Sequence, residues 1–203
     1  AWFAERFATL PPATTTTTDL GALSLGLLTA APVGVSTARA LAAIARKVVG
    51  TGGSVLLPES DPLLANGTFR AAVLGQAAPH ATLAYGQPLA HPGLHVIASE
   101  TDHWVENLTG LGGCGAHLAL TAVASHAQQG HPLLPVIQFA ESDQRGIVAG
   151  DDIDLFLTGD AAADEAALSA ILVRVAQREL VPASMAQGAV DFQFTRGLLG
   201  VTT

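Results

Sequence analysis

Cysteine, basic residues and aromatic side chains are all scarce in this sequence. There is one cysteine in 203 residues, which excludes an intramolecular disulfide framework and any CxxC zinc or redox site. Lys and Arg number nine against 17 Asp and Glu, a net charge of −8. That balance argues against a nonspecific nucleic-acid binder, whose affinity comes from cations neutralising phosphates. No apolar run approaches 18 residues free of Pro, polar residues and Gly clusters, so no segment is expected to span a membrane. No basic stretch precedes an apolar core, so no signal peptide is expected, and the expected compartment is the cytoplasm. Charged residues make up only 13%, too few for a disordered tail.

Apolar residues supply 49% of the chain, with 21 glycines and 11 prolines as punctuation. Residues 1–10 carry Trp2, Phe3 and Phe7 at the spacing of a short amphipathic helix. Pro11, Pro12 and the run Thr14 to Thr18 break it, and residues 1–18 read as that helix followed by a linker or an edge strand. From residue 19 the pattern alternates. Strands are expected at 23–28, 54–58, 81–85, 94–99, 116–123 and 134–140, several of them continuous apolar runs of the kind a parallel sheet buries on both faces. Helices are expected from Ser36 or Thr37 to Val49, over 61–75, over 102–112 and over 161–179, the last capped by Asp160. Alternation of this kind describes a single α/β domain over 19–203, a three-layer Rossmann-like fold with a mainly parallel sheet.

The string Gly110-Leu111-Gly112-Gly113-Cys114-Gly115 matches G-x-G-x-x-G, but a strand-like run follows it where a dinucleotide fingerprint needs a helix. It reads as close backbone packing or a helix C-terminus, and no nicotinamide cofactor is expected. Cys114 has His103 and His117 nearby in sequence, a pairing that would make a nucleophile; a lone cysteine is more often a small buried apolar residue. The seven histidines form no H-E-x-x-H motif, so a zinc site made by the chain alone has no support. Acidic residues recur just after strands: Glu59 and Asp61, Glu100 and Asp102, Glu141 and Asp143, with Asp151, Asp152 and Asp154 further on. Carboxylates gathered on one sheet edge suit general acid–base work or a hard cation, and acids also cap the helices that follow strands. His103, beside Trp104 after a strand, falls where open α/β sheets form their ligand crevice.

Taken in order, several segments resemble the C-terminal domain of the altronate/galactarate dehydratase family of sugar-acid hydro-lyases. The resemblance runs through Val35-Ser36-Thr37 to Gly52-Gly53, then Val55-Leu56-Leu57-Pro58-Glu59-Ser60, then Gly93-Leu94 to Glu100-Thr101 with Thr109-Gly110. It continues in Pro135-Val136-Ile137-Gln138-Phe139-Ala140 and Asp151-Asp152-Ile153-Asp154-Leu155. Three family elements are replaced: a C-G-G-S-D turn by Thr29-Ala30-Ala31-Pro32-Val33-Gly34, an F-T-T-G-R-G loop by Thr121-Ala122-Val123-Ala124-Ser125-His126, and the N-A-G of the acidic motif by Phe156-Leu157-Thr158-Gly159. The second replacement removes an arginine suited to a ligand carboxylate.

The resemblance implies metal-assisted elimination of water from a small hydroxylated carboxylic acid, with iron or manganese as the divalent metal. Glu59, Glu100 and Asp102 become acid–base or metal-ligand candidates and His103 a proton donor, while Thr109 and Gly110 would contact substrate. It also implies one or two N-terminal dehydratase domains, or a separate subunit carrying them, as partners. A homo-oligomer is expected. The alternative is a non-catalytic relative that serves as a small-acid binding or assembly domain.

Overall fold

The computed structural model describes residues 20–75, 82–99, 101–145, 148 and 150–193. Its centre is one six-stranded, all-parallel sheet in the order β3-β2-β1-β4-β5-β6. The strands are β1 (Ser24–Thr29), β2 (Ser54–Pro58), β3 (Gly93–Ile97), β4 (Leu118–Val123), β5 (Val136–Ala140) and β6 (Leu155–Phe156). Register pairs Leu25 with Val55 on one side of β1 and with Leu118 on the other. All six residues of β4 and all five of β2 and β5 are buried, because each face of the sheet carries its own helical layer.

Alternate side chains therefore enter different cores. Val55 and Leu57 join Leu25, Leu27, Leu120 and Phe139 on one face, whereas Leu56 joins Leu28, Ala119 and Val136 on the other. The first face is covered by α1 (Val35–Gly50), α2 (Gly67–Val73) and α4 (Ala161–Ala176), through Leu41, Ile44, Phe69, Leu168 and Leu172. The second face is covered by α3 (Trp104–Gly113), through Leu108 and Leu111. Burying a Leu or Phe of this kind contributes about 1.5–3 kcal/mol each, so the two cores decide the fold. The three-layer α/β reading of the sequence holds.

Local chemistry explains where the elements depart from expectation. The segment 61–75 is not one helix: Asp61 caps a 3-10 turn (Pro62–Ala65) and Asn66 then caps α2, accepting from Thr68 and Phe69 N–H. Two capping residues five positions apart start two short helices. Of 81–85, residues 82–85 are described; Leu83 makes a single parallel bridge to Ile97, and these residues form no strand. The two-residue β6 and the four-residue α5 (Ala183–Ala186) are too short to leave a periodic signal. Asp160 does cap α4, accepting from Ala162 and Ala163 N–H. The readings of residues 1–18 and of Glu100 lie outside the described residues. Among the described residues no helix is long and apolar enough to cross a membrane.

Candidate functional site

In parallel sheets of this order, the connections from β1 leave toward one edge and those from β4 toward the other. The crevice between their carboxyl ends is the usual ligand position. A cleft of about 390 Å³ opens there, lined by Thr29, Ser60, Asp61, Asp102, Trp104, Asn107 and Gln128 among others. Its volume falls in the range of roughly 300–1,000 Å³ typical of small-molecule sites. Thr29 ends β1, and the other side chains come from loops or a helix start that follow strands: Ser60 and Asp61 after β2, Asp102 to Asn107 after β3, and Gln128 after β4.

Asp61 forms the floor. It is 4% exposed, and its carboxylate ties β1 to the turn after β2. Thr29 N–H donates to Oδ2 at 2.7 Å, while Thr29 Oγ1 and Leu63 N–H donate to Oδ1, both at 2.8 Å. Each carboxylate oxygen offers about two acceptor directions, so Oδ1 is filled and Oδ2 keeps one open. Burial pushes the Asp61 carboxyl from its ordinary 3.8 up to about 6, against the pull of the hydrogen bonds from Leu63 and Thr29. Burial disfavours the charged form, and here it outweighs three donors.

The walls are polar and tied from behind. Ser99 Oγ donates to Asn107 Oδ1 at 2.7 Å, and Ser60 Oγ donates to Thr101 O at 3.0 Å. Trp104 Nε1 donates to Gln129 O at 2.8 Å, joining the start of α3 to the loop after β4. Gln128 exchanges two bonds with the buried Gln138 of β5, N–H to Oε1 at 2.7 Å and O from Nε2 at 2.6 Å. Gln138 is anchored in turn, its N–H donating to Asp154 Oδ2 at 2.8 Å. Burial raises the Asp154 carboxyl, and the N–H groups of Gln138 and Ala183 oppose the rise.

On the same edge, the N-terminus of α1 is closed from within. Its cap residue, Gly34, has no side chain to accept the free N–H groups. Glu141, at the end of β5, supplies the acceptor: Gly34 N–H donates to Oε1 at 2.8 Å and Thr37 Oγ1 donates to the same oxygen. A helix N-terminus after the first strand is where this fold commonly holds a phosphate; here a carboxylate of the chain occupies it.

The sequence-predicted residues divide accordingly. Asp102 lines the cleft. Glu59 is exposed, with its backbone N–H on Ile97 O, and it does not border the cleft. His103 is exposed at the cap of α3, its N–H on Thr101 Oγ1 at 3.0 Å. Thr109 is buried and spends its hydroxyl on Val105 O at 2.9 Å. Gly110 faces the Tyr85 ring, where an added Cβ would lie 2.5 Å from Cε2. Neither Thr109 nor Gly110 borders the cleft. The glycine string thus ends a helix and admits an aromatic ring. Cys114 is fully buried, burial raises its thiol, and its Sγ donates to Ala84 O at 3.6 Å. His117 instead accepts from Ser24 N–H.

Asn107 and Gln128 carry no signal in the sequence, because their polar partners are remote or on unlike elements. Asp61 had one: Asp followed by Pro is a helix-start pair, which turns its carboxyl inward, while neighbouring Glu59 points out.

Among the described residues no three His, Cys, Asp or Glu side chains gather to hold a metal ion. Among the described residues, the carboxylates at the cleft are those of Asp61 and Asp102, and Asp61 has one acceptor direction left. The described residues therefore do not fit a divalent ion held by this chain alone. No family model matches the chain, and no curated protein is significantly similar to it.

Proposed function

We propose that this chain is the substrate-binding part of a hydro-lyase of the altronate/galactarate dehydratase kind. It holds a small hydroxylated carboxylic acid in the cleft at the carboxyl edge of the sheet. The observation that carries the reading is Asp61, a buried carboxyl on the cleft floor that titrates near 6. An acid of that strength is partly protonated near neutrality, which suits proton transfer in either direction. In the elimination, a proton leaves the carbon α to the carboxylate and a hydroxyl leaves the next carbon as water. The resulting enol rearranges to a 2-keto-3-deoxy acid. Asp61 is assigned the proton given to the departing hydroxyl. A divalent metal of the family's kind would need donors beyond the described residues, supplied by N-terminal domains or a partner subunit.

A second reading has its own support. Three donors hold Asp61, as they would hold a carboxylate whose task is to brace β1 against the next turn. On that reading the chain is a non-catalytic binding or assembly domain. The test is formation of 2-keto-3-deoxy acid from a panel of aldonates and aldarates with Fe²⁺ or Mn²⁺, with and without the dehydratase N-terminal domains. Turnover that Asp61→Asn abolishes while ligand binding persists supports the first reading. Ligand binding without turnover in any combination leaves the second.

A further inference from the structure

We infer that the cleft takes the hydroxyl-bearing chain of its ligand and leaves the carboxylate outside, so that this protein by itself prefers a neutral polyol to the matching acid. The inference rests on the hydro-lyase reading and narrows what that same cleft holds. Its basis is the hydrogen-bonding capacity left over once the internal ties are counted. Asp61 Oδ2 keeps one acceptor direction, and Asp102 and Gln128 Oε1 make no hydrogen bond among the described residues. Against these acceptors, the spare side-chain donors among the described residues are one N–H each of Asn107 Nδ2 and Gln128 Nε2, whose other protons go to Thr101 O and His126 Nε2. The Ser60 hydroxyl proton is already on Thr101 O.

A surface rich in acceptors, two of them on carboxyl groups, matches ligands that bring O–H donors. A ligand carboxylate brings only acceptors and negative charge. No Lys or Arg among the described residues lines the cleft to compensate it. Lys47 pairs with Glu165, and Arg145 lies over the Phe156 ring, 4.8 Å from its centroid. On this edge, the N-terminus of α1 is filled by Glu141; that of α3, whose cap residue His103 supplies no side-chain acceptor, offers only the partial positive charge of a helix end against the two carboxyl groups. Recognition of an acid group therefore falls to a cation beyond the described residues, while hydroxyl recognition belongs to the cleft.

The experiment is calorimetric titration of the full chain, without metal, with galactitol, galactonate, galactarate and adipate at fixed ionic strength. Galactitol is expected to bind about tenfold or more tightly than galactarate, and adipate to give no heat; one charge-assisted hydrogen bond is enough for such a ratio. Asp102→Asn, at an exposed position with no internal bond, should narrow the galactitol-to-galactarate ratio by about threefold to tenfold. Gln128→Leu should weaken galactitol while the backbone ties to Gln138 persist. The inference is overturned if galactarate or adipate binds more tightly than galactitol, if Asp102→Asn leaves the ratio unchanged, or if galactitol does not bind. Galactitol binding together with no turnover alongside the N-terminal domains would remove the hydro-lyase reading and leave this inference intact. Turnover with galactarate as the tightest ligand of the chain alone would do the reverse.

Discussion

The replacement Asp61→Asn separates burial from hydrogen bonding at the cleft floor. Asparagine keeps one acceptor for Leu63 N–H and Thr29 Oγ1, but its amide puts a donor where Thr29 N–H now finds Oδ2. An unsatisfied buried donor costs about 1–3 kcal/mol, so the variant should be the less stable protein at pH 4. The wild-type carboxyl has a folded pKa of about 6, above its ordinary 3.8. A raised carboxyl pKa means the native state binds the extra proton, so its contribution is full below 3.8 and is lost as pH climbs through 6. The rise from 3.8 to about 6 corresponds to about 3 kcal/mol in the limit, of which about 2 kcal/mol falls between pH 4 and pH 8. Asparagine does not titrate. The stability gap between wild type and variant should thus shrink by about 2 kcal/mol from pH 4 to pH 8, and it can change sign. Urea denaturation followed by circular dichroism at both pH values reads this difference, and all other titrating groups cancel between the two proteins. An unchanged gap would refute the raised pKa. A gap that widens with pH would mean that the three donors outweigh burial and hold the group ionised.

Three further outcomes follow from the same geometry. Glu141→Ala removes the acceptor for Gly34 N–H and Thr37 Oγ1 and should cost about 1–2 kcal/mol in urea titrations, the usual cost of a lost helix cap. Gly110→Ala places a methyl 2.5 Å from the Tyr85 ring and should cost about 1–3 kcal/mol, whereas Gly112→Ala, whose Cβ meets nothing within 4 Å, should gain up to about 1 kcal/mol in the same helix; equal effects would contradict the close ring contact. Cys114, buried with its thiol pushed up by burial, should resist a disulfide reagent in the native protein at pH 8 and react at once in urea.

How much of this was legible beforehand depended on the reach of each interaction. The β2 run Ser54–Pro58 and the Asp160 cap are written in adjacent residues, and both appear where the sequence puts them. The alternation of apolar runs with helical spacing suffices for the parallel sheet, since both faces need cover. The site was only partly visible. Post-strand acids mark the correct edge, but which one turns inward depends on partners such as Thr29, 32 positions from Asp61. The same holds for Gln128, set by Gln138 and through it by Asp154. Thr109 and Gly110 show the opposite error: their small, polar character serves the helix itself and the approach of Tyr85.

The bond from Glu141 to the start of α1 has a mechanical consequence as well. Glu141 hangs from β5 and Gly34 from the turn after β1, with β4 lying between those strands in the sheet. The contact therefore ties the loop after β5 to the turn after β1 across the end of β4. Moving either loop would first have to break it. The first turn of α1 is thus held in place by a strand two positions away in the sheet, where its own cap residue offers no side chain to do so.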